Sequence, residues 1–108
     1  MIQMWEILVP TVYRVSGKPI HTRYHRVWDE KVRKISGGLT VMHPVKGQWV
    51  HEDQLHSERM IPVRILATKE QMEEIVTMTI QYYDQLAVLA YRISTDIMLR
   101  HHDGKGDI

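Results

Sequence analysis

Hydrophobic and polar positions along the chain change period several times, and each change marks an element. Residues 5–15 are rich in Ile, Val and Tyr and read as a strand, with Pro10 inside it. Proline has no N–H for a ladder, so a bulge is expected there. Ser16-Gly17-Lys18-Pro19 has the composition of a turn. Over residues 22–36 the period lengthens. Tyr24, Val27, Trp28, Val32 and Ile35 recur at three- and four-residue spacing and predict a helix, with Thr22 as its N-cap and Gly37-Gly38 as its stop. Residues 39–51 return to strand character, with Pro44 and Lys46-Gly47 as interruptions that suit a bulged edge strand. The polar residues 52–58 read as a loop or hairpin tip.

Residues 60–67 place Ile61, Val63 and Ile65 alternately with Pro62, Arg64 and Leu66, the two-residue period of a strand. Thr68-Lys69-Glu70-Gln71 then has the form of a capping box. The Thr68 hydroxyl is expected to accept from the Gln71 N–H, while the Gln71 side chain reaches back. Met72, Ile75, Val76, Thr79, Tyr83 and Leu86 carry the helix to about residue 85, and residues 86–93 read as a final strand. The order is β-α-β-β-α-β. Right-handed crossovers then give an α+β fold: a ferredoxin-like sandwich, a four-stranded antiparallel sheet with two helices on one face. Residues 1–100 are expected to form one domain, and residues 101–108 a loose tail.

Composition narrows the function classes. The 108 residues carry a formal net charge of +1, with 44% hydrophobic and 25% charged residues, the balance of a globular domain and not of a disordered chain. Cysteine is absent, which removes disulfides, thiol catalysis and thiolate metal sites. Phenylalanine is absent too. The topology is shared with the RRM, which stacks bases on sheet aromatics. The RRM signature is missing here and the charge is nearly neutral, so nucleic acid is not an expected partner. No apolar stretch is long enough for a membrane span and the N-terminus does not resemble a secretory signal, so a cytoplasmic location is expected.

One group of short motifs carries a family resemblance. Gly38-Leu39-Thr40-Val41, followed by Gly47-Gln48-Trp49, resembles a signature in a family of small bacterial proteins of unknown function with a ferredoxin-like fold. Trp28-Asp29-Glu30-Lys31-Val32 and Gln85-Leu86-Ala87-Val88-Leu89 are similar in placement. The resemblance spans roughly residues 12–93. It implies a fold and no activity, so it supplies no catalytic residues.

With both helices on one face, the other sheet face is left over. Strand parity puts Ile7, Val9, Val41, Ile61, Val63, Ile65, Leu89, Tyr91 and Ile93 toward the helices. Glu6, Leu8, Val12, Arg14, Thr40, Met42, Arg64, Leu66, Val88, Ala90 and Arg92 then fall on the open face. Such an apolar face marks an interface, and a homo-oligomer, in the simplest case a homodimer, is expected through it. Arg14, Arg64 and Arg92 add a sharper expectation: three guanidinium forks on one face suit a small anionic ligand. Pairing with Glu6, or with acids of a partner chain, is the alternative.

Seven histidines invite a metal-site reading. His21 and His25 stand four apart, and His51 and His56 crowd one loop, but none reproduces a zinc motif. These four are weak metal candidates, and no cofactor is expected. His43 differs, since parity buries it toward the helices. If the protein is an enzyme with a pocket between helices and sheet, His43 is the first acid–base candidate, with Trp49, Tyr82 and Arg64 around it. The leading expectation is a binding or accessory module.

Overall fold

A computed structural model describes residues 1–104, so part of the expected tail, 105–108, lies outside the described residues. The elements are β1 (Gln3–Pro10), α1 (Thr22–Ser36), β2 (Thr40–Val41), β3 (Val45–His51), β4 (Gln54–Ala67), α2 (Lys69–Tyr83) and β5 (Ala90–Ser94). All sheet pairings are antiparallel, in the order β2-β4-β1-β5, with β3 also on β4. This is the expected ferredoxin-like α+β sandwich. Its second strand is divided into β2 and β3, which makes five strands.

Burial of one sheet face explains the order. Ile7 and Val9 of β1 and Val63, Ile65 and Ala67 of β4 lie under Trp28 and Val32 of α1 and Met72, Ile75 and Tyr83 of α2. Side chains of this size contribute about 1.5–3 kcal/mol each when fully buried. The start of α2 follows its sequence signal: the capping box at Thr68 and Gln71 is complete. Gly37 closes α1 in the left-handed region, at φ 95°.

Several boundaries depart from the sequence pattern. β1 ends at Pro10 without a bulge there; its register shift falls between Met4 and Trp5, against β5. Residues 11–15 leave the sheet, and Val12 instead bridges Pro19. The cap of α1 is His21, not Thr22: its Nδ1 accepts from the Arg23 N–H at 3.1 Å, since an imidazole nitrogen can serve as well as a hydroxyl. The chain breaks at Met42-His43-Pro44, where Pro44 cannot donate to a ladder, so His43 is exposed and not buried toward the helices.

The polar residues 52–58 are mostly strand. Only Glu52 and Asp53 form the turn, both at positive φ (52° and 64°), between the last pair His51↔Gln54. The pairing of β4 with β1 begins at Met60. Residues 46–51 and 54–59 therefore pair as strands only with each other, a two-stranded arm beyond the sandwich, tied at its base by the Thr11 hydroxyl, which donates to the Arg59 carbonyl at 2.8 Å. The molecule measures 58 × 29 × 27 Å, and its radius of gyration is 16.2 Å, against about 13 Å for a compact chain of this length.

The last strand has the opposite parity from that expected. It starts at Ala90, after an irregular stretch over 84–89, and the register Ile7↔Ala90, Glu6↔Tyr91 sends Ala90 to the helices and Tyr91 to the open face. Ala90 fits beneath the helices, whereas a phenol needs a hydrogen-bond partner.

Candidate functional site

The open face centres on one polar group in an apolar field. Glu6, on the central strand β1, stands opposite Arg64 on β4 and Tyr91 on β5. Arg64 Nε donates to Glu6 Oε1 at 3.2 Å, and the Tyr91 hydroxyl donates to Glu6 Oε2. Glu6 is only 9% exposed, so these bonds replace the water its carboxylate has lost. Hydrogen bonding to Glu6, with burial second, holds the Tyr91 phenol above its ordinary range. Met4, Leu8 and Leu66 share this face by strand alternation. A pocket of about 370 Å³ opens beside the group, lined by Met4, Thr40, Arg64, Leu66 and Leu99 among others.

A second pocket, of about 470 Å³, lies at the base of the arm. Leu8, Pro10 and Met60 meet Val88 and Leu89 there, with Gly47, Trp49 and Glu58 from the arm. The cross-strand pairs Gly47↔Glu58 and Trp49↔His56 put these four residues on one face of the ribbon, and Trp49 stacks on His56 at 5.6 Å between ring centroids. Gly47 is needed here, because the Met60 side chain occupies the place its Cβ would take.

A third group joins the helices. His25 Nδ1 and the Tyr83 hydroxyl are 2.6 Å apart, and the Trp28 indole N–H donates to Thr79 Oγ1 at 2.9 Å. The Tyr82 hydroxyl donates to the Tyr24 carbonyl at 2.7 Å. Burial lowers the His25 pKa, with Asp29 opposing; burial likewise raises Asp29 and Tyr83. This group fastens α1 to α2.

The residues singled out from sequence do not converge. Arg64 is on the open face, paired with Glu6. Arg14 is off the sheet, where it bonds the Asp84 carbonyl and carboxylate at 2.9 and 3.1 Å. Arg92 stands opposite Trp5, a residue packed against the core on the helix side. The three arginines thus form no common anion site, because β1 stops before Arg14 and β5 has the other parity. His43, Trp49 and Tyr82 lie respectively in the break between β2 and β3, on the arm and on α2. His21 is engaged through Nδ1 as a cap and His25 through Nδ1 with Tyr83; His51 and His56 have ring centroids 6.4 Å apart on the arm. Among the described residues no group of three or more His, Asp or Glu is placed to hold a metal ion. Tyr91 is the functional-face residue that sequence reasoning missed. The signal for it is a lone carboxylate, Glu6, in an otherwise apolar central strand, which requires partners on both neighbouring strands.

The architecture defines the class: a ferredoxin-like sandwich with a projecting β-ribbon. Solved structures of the same architecture are CutA proteins. CutA from Xylella fastidiosa superposes with a TM-score of 0.68 at 7% identity over 91% of this chain and 86% of that one. The periplasmic divalent cation tolerance protein CutA from Archaeoglobus fulgidus gives 0.65 at 13% identity over 93% and 89%. The divalent cation tolerance protein from Thermus thermophilus gives 0.64 at 8% over 90% and 88%. At these identities the likeness is one of fold. No protein-family model and no curated protein matches the chain in sequence. The resemblance read from Gly38-Leu39-Thr40-Val41 therefore stands as a ferredoxin-like fold and no further. Among the described residues no helix is long and apolar enough to cross a membrane.

Proposed function

We propose that this protein is a homo-oligomeric binding or accessory module, acting in the cytoplasm, whose copies associate through the open sheet face and the arm. The observation that carries the reading is the arm. An isolated two-stranded ribbon is marginal in water, yet residues 46–51 and 54–59 form one, with the cross-strand pair Val50 and Leu55 exposed at 69% and 66% on the face away from Trp49. A neighbouring copy that covers these side chains supplies the missing burial. The Glu6–Arg64–Tyr91 group also supports the reading, because it satisfies internally the one charged pair at the centre of an apolar face, leaving that face fit for a dry contact. Leu66→Glu on the face and Leu55→Glu on the arm test it. Each is expected to reduce the mass in solution without loss of helical circular dichroism; variants that keep the wild-type mass oppose it.

Divalent cation tolerance, the property named for two of the structural neighbours, is a second reading. Among the described residues of one chain no three-ligand group is placed to hold such a cation, so a cation site of that kind would draw ligands from more than one copy.

A further inference from the structure

We propose that the pocket at the base of the arm binds a small organic cation with an apolar body, such as an arylalkyl or alkyl amine. The inference names a ligand class for the binding module, and rests on the pocket's own composition. Its volume, about 470 Å³, is that of a small-molecule site, and its walls have the usual make-up: mostly apolar, with few polar groups. Leu8, Pro10, Met60, Val88 and Leu89 suit a hydrocarbon or aromatic body. Met60 adds adaptability, since its unbranched thioether end already fills the space left by Gly47 and can repack around an occupant. The polar side chains fix the charge. Glu58 is half-buried at the pocket wall, and among the described residues no ion pair or hydrogen bond holds its carboxylate. Trp49 offers an indole on the same face of the ribbon. A carboxylate beside an aromatic ring favours a cation, which gains both the ion pair and the attraction of the ring face. An anion would meet Glu58 with no guanidinium or ammonium in the lining to offset it.

The test is a titration of the full chain with phenethylamine, followed by the Trp49 indole N–H and the Met60 methyl in NMR spectra. 2-Phenylethanol and phenylacetate serve as neutral and anionic matches. Trp5 and Trp28 are internal controls, since their indole N–H groups are bonded to the Ala67 carbonyl and to Thr79. The proposal expects a saturable shift of Trp49 and Met60 with the amine, at least about fivefold tighter than with the alcohol, and no saturation with the carboxylate. Glu58→Gln is expected to weaken the amine about threefold or more while Trp5 and Trp28 keep their positions. Equal binding of the alcohol, an unchanged Glu58→Gln variant, or no shift at concentrations of about 10 mM overturns it. The last result includes a pocket closed by a neighbouring copy. The mass in solution is measured on the same samples, so failure here is distinguishable from failure of the oligomeric reading.

Discussion

Tyr91 donates its hydroxyl to Glu6 from the neighbouring strand, on the sheet face that the helices leave uncovered. With Arg64 on the other side, the carboxylate is held from both flanking strands. Tyr91→Phe removes one of the two bonds to a nearly buried charge. The expected loss is about 1–2 kcal/mol of unfolding free energy by urea titration. Arg64→Met removes the cation and is expected to cost more, because the charge is then left uncompensated. Equal stability of all three proteins would remove the group from any structural role.

Thr79 is fully buried on α2 and accepts from the Trp28 indole while donating to the Ile75 carbonyl at 2.6 Å. Thr79→Val keeps the shape and deletes the hydroxyl, which leaves the indole N–H without a partner. The variant is expected to lose about 1–3 kcal/mol in thermal or chemical unfolding, whereas Thr79→Ser keeps most of the stability. A neutral Thr79→Val would show that the bond contributes nothing net.

His25 gives the pH dependence a sign. Burial lowers its pKa in the fold below 6.5, with Asp29 opposing. The unfolded chain therefore binds a proton more readily than the folded one. The neutral imidazole's contribution is fully present above 6.5 and is lost as pH falls through the window beneath it. Asp29 has the opposite sign, but its window opens just above 3.8. Melting temperature is expected to fall between about pH 7.5 and 5.5, and to fall less in His25→Gln, which keeps an acceptor for Tyr83. Parallel profiles for the two proteins would contradict the assignment.

The sandwich is legible in the sequence because its signals are local: the Thr68–Gln71 capping box, the stripe Met72, Ile75, Val76, Thr79 and Tyr83, and the alternation through Ile61, Val63 and Ile65. The arm is not, for a physical reason. A two-residue hairpin with both central residues at positive φ normally advertises itself with Asn-Gly or Asp-Gly. Here Glu52-Asp53 adopts that conformation without a glycine, so a polar run that is really strand looks like a loop. His43 is misplaced by parity because Pro44 follows a break after β2, and the chain does not continue as one long bulged strand. The open face reads as an interface from its apolar positions, but the arginine cluster on it is not real. Parity in β5 depends on where the strand starts, and the apolar residues Leu86 to Leu89 hide the irregular stretch that precedes Ala90.

The mass of the unmodified chain in solution, by sedimentation velocity or light scattering at micromolar concentration, tests the central claim most directly. Association through the open face and arm predicts one stable species at a whole multiple of 12.8 kDa, which dissociates in Leu55→Glu. A single species at 12.8 kDa across that range would contradict it.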